Sequence, residues 1–162
     1  MKVYTLYREQ YLPISIETAW AFFSSAKNLD KITPPEMGFE IVSRLSDEPV
    51  HSGMLIKYTV KPLWGIKMNW VTQILDVSAP HSFTDRQIKG PYKLWEHTHH
   101  FHSVIGGVKM TDEVKYSLPL SWLGVLAHSL VVKNKLTQIF DFRSATLNKL
   151  FGQLKEPDYV AR

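Results

Sequence analysis

The chain has 162 residues, 44% of them hydrophobic and 21% charged, with 5 Trp, 7 Tyr, 8 Phe and no Cys. A chain of this length buries roughly two thirds of its unfolded surface, so a single domain over residues 1–162 holds together without disulfides or a structural metal. The missing cysteines exclude thiol nucleophiles, Cys-bound zinc and iron–sulfur clusters, and they fit the reducing cytoplasm where we expect the protein to reside. Nineteen Lys and Arg against fifteen Asp and Glu give a net charge of +4, yet no two basic residues are adjacent, which predicts no specific nucleic-acid partner. The opening MKVYTLYREQYLPI has no signal-peptide core, and no window approaches the roughly 18 apolar residues of a span, so no membrane insertion is expected.

In chain order, residues 2–12 read as a strand. Ser15 then caps a short helix on which Ile16, Ala19, Trp20, Phe23 and Ala26 recur at helical spacing. Asn28–Ile32 adds one more turn before Thr33-Pro34-Pro35 stops it, because a residue before proline is pushed out of the α region. From 39 to 118 the period is two. Met54, Ile56, Tyr58 and Val60 alternate with Leu55, Lys57, Thr59 and Lys61, and Val108, Met110, Val114, Tyr116 and Leu118 alternate with polar residues. Breaks at Ser52-Gly53, Trp64-Gly65, Pro80, Gly90-Pro91 and Gly106-Gly107 divide this region into about six antiparallel strands. After Pro119 the period becomes 3.6, and Val125, Ser129, Val132, Leu136, Ile139, Phe140, Leu147, Leu150 and Phe151 fall on one stripe of a long helix. The pattern predicts an α+β fold in which a curved seven-stranded antiparallel sheet wraps around the C-terminal helix, with two short helices between strands 1 and 2. A sheet so twisted touches a helix along part of its length and leaves a cavity elsewhere.

The residues that break this pattern carry the functional signal. Asp112 has the parity of Met110, Val114 and Tyr116 and so points inward, where a lone carboxylate is costly. On the preceding strand Trp95, His97, His99 and Phe101 share the inward face, and on the one before it Phe83, Asp85 and Gln87 do. Arg143 lies in the middle of the apolar helix stripe, so its guanidinium faces the sheet and pairs with Asp112 or Asp85. The bland reading is a staple between helix and sheet with two satisfied core histidines. The functional reading is a polar cluster that orients one ligand in an aromatic cavity walled by Tyr58, Trp70, Trp95 and Tyr116. His97 and His99 could share one ion with Asp85 or Asp112, but no spacing of HExxH type supports a metal, and the nearby Arg143 disfavours a cation. Strand alternation also divides the His97–His102 run between two faces, leaving His100 and His102 exposed. We therefore expect no metal and no cofactor.

These residues, as Phe83-x-Asp85-x-Gln87, Gly90-Pro91-Tyr92-x-x-Trp95-x-His97-x-His99-x-Phe101, Met110-x-Asp112-x-Val114-x-Tyr116-x-Leu118-Pro119 and Ile139-Phe140-x-x-Arg143, resemble the START/polyketide-cyclase-like (SRPBCC) superfamily. Within it they resemble the bacterial ligand-binding SRPBCC domains of unknown function. The resemblance covers nearly the whole chain, including Asn28-Leu29 and Ile32-Thr33-Pro34-Pro35. It implies a helix-grip fold with a deep hydrophobic cavity and does not imply a reaction, since the superfamily includes lipid and hormone carriers, aromatase/cyclases and oxygenase subunits. The oxygenase iron site is not expected, because nothing matches its two-His, one-carboxylate motif on a helix. The label of cell-division inhibitor, sometimes given to the narrower group, finds no supporting residue. One departure is Gly107, where the group usually has Thr after the glycine of its penultimate turn; a looser hairpin is expected.

Two functions follow as expectations. The first is a binding or carrier protein, monomer or weak dimer, for a small apolar or amphipathic molecule with a polar or anionic group, held by Tyr58, Trp70, Asp85, Gln87, Trp95, His97, His99, Asp112, Tyr116 and Arg143. The alternative is a cofactor-free cyclase, dehydratase or hydrolase in which His97 or His99 acts as general base, oriented by Asp112 or Asp85.

Overall fold

A computed structural model of the protein describes residues 2–44, 48–61, 65–119 and 131–156. The elements are β1 (Tyr4–Leu12), α1 (Ile16–Phe23), three 3-10 turns (Ala26–Asn28, Asp30–Ile32 and Pro35–Met37), β2 (Glu40–Ile41), β3 (Leu55–Val60), β4 (Met68–Ser78), β5 (Ser82–Lys89), β6 (Leu94–Val104), β7 (Gly107–Ser117) and α2 (Lys133–Phe151). The seven strands form one antiparallel sheet in the order β1-β7-β6-β5-β4-β3-β2. Each consecutive pair from β2 to β7 is a hairpin, and β1 closes the far edge against β7. No helix among the described residues is long and apolar enough to cross a membrane.

The local determinants act where the alternation and capping signals lie. Ser15 is the N-cap of α1, its hydroxyl accepting from the Thr18 amide, and Ile16, Ala19 and Phe23 are the buried face. In β7 the inward set Val108, Met110, Asp112, Val114 and Tyr116 is buried throughout, and in β6 so are Trp95, His97, His99 and Phe101. The expected exposure of the other face is only partial, because Thr59 of β3 and Thr111 of β7 are also buried. The expected helix stripe splits in the same way. Val132, Leu136, Phe140 and Leu147 are buried, whereas Leu150 is half exposed near the end of α2. Positions Val125 and Ser129 of that stripe, with Gly124 and Trp64, lie outside the described residues.

Two apolar clusters make the core. One joins α1 to Leu12, Ile74, Phe83, Phe101, Val108, Met110 and Leu147. The other joins Leu6, Val60, Trp70, Trp95, Val114 and Tyr116 to Leu136 and Phe140 of α2 and to Val132 just before it. Each of β5, β6, β7 and α2 therefore passes from one cluster towards the other through a polar residue: Asp85, His97 with His99, Asp112 and Arg143. Gln10 of β1 adds a polar tie to the helix, donating to the Ser144 carbonyl at 2.9 Å and to Asn148 Oδ1 at 2.7 Å.

Gly107 is explained by packing rather than by a loosened turn. The β6–β7 hairpin turns tightly at Ile105-Gly106, with Val104 opposite Gly107. A Cβ at Gly107 would collide with the Leu12 carbonyl oxygen of β1 and press on the Leu154 side chain at 3.0 Å. The end of β1 and the chain after α2, tied by the Leu154 amide to the Tyr11 carbonyl at 3.2 Å, thus close over this glycine. Gly107→Thr should lower stability by about 1–3 kcal/mol through overpacking, measured by denaturant unfolding; an unchanged midpoint would mean that β1 yields without cost.

Candidate functional site

Strand register assembles the polar cluster. Asp85 of β5 is opposite His97 of β6, and His99 of β6 is opposite Asp112 of β7, so four inward polar side chains meet on three adjacent strands. Arg143 of α2 covers them. Its Nη2 donates to Asp112 Oδ1 at 3.2 Å and lies 3.3 Å from His99 Nδ1. Asp112 Oδ1 also accepts from His97 Nε2 at 2.8 Å and has His99 Nδ1 at 3.0 Å. On the other side of the imidazoles, Asp85 Oδ2 stands 3.2 Å from His99 Nε2 and 3.4 Å from His97 Nδ1. Each imidazole is thus held between two carboxylates. The two rings lie 3.9 Å apart, between Phe83 stacked on His99 and Phe140 edge-on to His97.

Burial makes these contacts decisive. Asp112 is 2% exposed, His99 5% and His97 6%. Burial by itself would raise the Asp112 carboxyl, but the Arg143 guanidinium and the hydrogen bonds from His97 and His99 outweigh it and hold the group well below the usual carboxylate range. Asp85 is also lowered, its burial being offset by the charge of His97 and the hydrogen bond from His99. His97 is pushed down by burial and by the neighbouring His99, against the pull of the two carboxylates. His99 moves up in spite of burial, because Asp112 and Asp85 both accept from it. With His99 protonated, one imidazolium, one guanidinium and two carboxylates balance within the buried cluster.

Beside the cluster lies a cavity of about 560 Å³, within the range of roughly 300–1,000 Å³ usual for small-molecule sites. Of the expected site residues, Tyr58, Trp70, Asp85, Trp95, His97, His99 and Arg143 line it. Asp112 and Tyr116 are buried behind that wall. Gln87 does something else. Its amide donates to the Tyr92 carbonyl at 2.8 Å and accepts from the Tyr92 amide at 3.2 Å, clasping the β5–β6 turn. A Cβ at Gly90 would run into the Gln87 amide and displace this clasp. The metal reading from the sequence meets the same geometry, for Asp85, His97 and His99 each bring one donor atom within 4.8 Å of the others.

Further walls come from Phe39, Thr72, Tyr92, Ile139 and Phe140. Ile139 and Phe140 belong to the helix stripe, whereas Phe39 and Tyr92 lie outside the strands, in segments where no periodicity marks a face. Two buried donors on this lining, Arg143 Nε and Trp70 Nε1, have no hydrogen-bond partner among the described residues. Arg143 is steadied instead by its aromatic neighbours, its guanidinium carbon lying 5.2 Å from the Phe23 ring centroid and 6.0 Å from that of Phe140.

No family model and no curated protein matches the chain. Solved structures do match at the level of fold. Protein CV1439 from Chromobacterium violaceum superposes with a TM-score of 0.68 at 14% identity, covering 93% of this chain and 99% of that one. TTHA0849 from Thermus thermophilus gives 0.63 at 17% identity, with 91% and 99% covered. Ara h 8.0201, a Bet v 1-like protein, gives 0.57 at 18% identity, again with 91% and 99% covered. The chain has the helix-grip architecture, a curved seven-stranded antiparallel sheet around a long C-terminal helix.

The lowered Asp112 carboxyl has a pH signature. Its contribution to stability is present above the ordinary carboxylate value of about 3.9 and is lost as the pH falls through that range and below. Asp112→Asn leaves Arg143 buried without its carboxylate and should cost about 3–5 kcal/mol at pH 7. The gap from the parent should narrow towards pH 3, as followed by denaturant unfolding at each pH; a gap that does not change with pH would assign the stability to packing instead.

Proposed function

We propose that the protein binds a small apolar molecule through an aromatic cavity and orients its polar or anionic end at the Asp85, His97, His99 and Arg143 cluster. The observation that carries this reading is a large, mostly apolar cavity with the Asp85, His97, His99 and Arg143 cluster on its lining. The apolar walls supply affinity at about 25 cal/mol per Å² buried, and the polar cluster supplies orientation. The helix-grip fold is compatible with this use and selects no ligand by itself.

Acid–base turnover by the same residues has weaker support. Each imidazole has both ring nitrogens within 3.4 Å of a carboxylate, so neither nitrogen faces the cavity unengaged. A general base needs a nitrogen within hydrogen-bond reach of the substrate's proton.

Native mass spectrometry of gently purified protein, compared with its denatured mass, should reveal a copurified small molecule. With an anilinonaphthalene sulfonate probe, apolar and anionic like the expected guest, Ile139→Trp should abolish binding by filling the cavity from the helix side. Arg143→Leu should weaken it roughly 10- to 100-fold, the worth of a hydrogen bond to a charged group. Probe binding that survives Ile139→Trp in a folded protein would move the site elsewhere.

A further inference from the structure

The arrangement of nitrogens around Asp85 differs from that around Asp112. At Asp112 the contacts are those of donors meeting an acceptor: His97 Nε2 at 2.8 Å, Arg143 Nη2 at 3.2 Å and His99 Nδ1 at 3.0 Å, all on Oδ1. With the His97 proton on Nε2, its Nδ1 carries a lone pair, and that lone pair faces Asp85 Oδ2 at 3.4 Å. That contact is offset where the His99 Nε2–H donates to the same Asp85 oxygen, and a cation bound between these atoms would take the place of that proton. His99 Nε2 lies 3.2 Å from the same oxygen.

Donor atoms bound tetrahedrally to one ion at about 2.0–2.1 Å stand roughly 3.4 Å apart. The Asp85 Oδ2 to His97 Nδ1 and His99 Nε2 separations, 3.4 and 3.2 Å, match that spacing, and each of the three residues offers one donor atom within 4.8 Å of the others. We infer that Asp85, His97 and His99 bind a divalent first-row transition ion of the zinc type on the cavity wall, with Asp112 as the carboxylate that orients both imidazoles from behind. A metal-bound imidazole characteristically donates its other N–H to a carboxylate, and here one carboxylate serves two rings. Arg143, the reason to doubt a cation from sequence, is paired with Asp112 on the far side of the imidazoles from Asp85. Three protein donors leave coordination open towards the cavity, and an imidazole–carboxylate set suits zinc, cobalt and nickel rather than calcium or magnesium.

This inference does not depend on the apolar guest, so it is tested without one. Chelator-stripped full-length protein should bind one equivalent of Zn²⁺ or Co²⁺, with the visible absorption of Co²⁺ in nitrogen and oxygen ligation. Asp85→Asn and His97→Gln should each weaken binding by about tenfold or more, and the outer-face double variant His100→Gln/His102→Gln should not. In the parent protein, which removes any doubt about variant folding, Zn²⁺ should shift the imidazole ¹⁵N resonances of His97 Nδ1 and His99 Nε2. Absence of stoichiometric binding, full affinity in folded Asp85→Asn, or shifts confined to the other histidines would overturn it. Those results would leave the cavity reading intact, because probe binding is measured separately.

Discussion

The contact between Arg143 and Asp112 is the constraint around which the interior is arranged. A guanidinium cannot shed its proton, so bringing it under an apolar sheet obliges a carboxylate to meet it there and remain ionised. Asp112 does so at 3.2 Å, and its buried position is tolerated because His97 and His99 occupy the remaining acceptor capacity of Oδ1. Asp85 then receives the opposite edges of the two imidazoles. The whole layer lies between the two apolar clusters. It also fixes the helix: a shift of α2 by one residue would rotate Arg143 about 100° away from Asp112 and strand both charges.

An open cavity lies beside the same layer. Charged and imidazole groups cannot be buried against arbitrary neighbours, so their geometry constrains α2 together with its buried Leu136, Phe140 and Leu147. The aromatic walls Tyr58, Trp70, Tyr92 and Trp95 pack on one another, Trp70 edge-on to Trp95 and Tyr92 tilted on Trp95, and form a rigid lining without filling the space. On the proposed reading, stability and recognition draw on one cluster, Asp85, His97, His99 and Arg143, with Asp112 behind it. Their substitution disturbs both, and only variants such as Ile139→Trp, which act on volume alone, separate the two.

Much of this is legible in the order of the amino acids. Period-two alternation gives the parity of Asp112, His97, His99 and Asp85, because in a half-buried antiparallel sheet parity decides the face. Arg143 is marked by its angle in the apolar stripe. Less accessible are Leu150, which has the stripe's spacing but is half exposed near the end of α2, and Gln87, whose parity is inward but whose amide is consumed by the turn at Tyr92. Phe39 and Tyr92 escape a reading by pattern because irregular segments have no period. Gly107 resembles a loosened turn locally, since nothing in its neighbourhood along the chain reveals that the Leu12 carbonyl of β1 lies against it.

The sequence by itself therefore determined which elements form, which faces are buried and which polar residues are forced inside, because these follow from spacing and from the cost of unpaired burial. Only the tertiary structure decided the pairing. From parity alone Arg143 suited Asp112 or Asp85 equally, and the strand register made the choice by placing His99 opposite Asp112 and His97 opposite Asp85. That register also turned two histidines into a bridge between two carboxylates, with one side engaged by Asp112 and Arg143 and the other converging on Asp85 at the cavity wall. Distances of a few ångströms between strands are set by the sheet as a whole, and no local pattern encodes them.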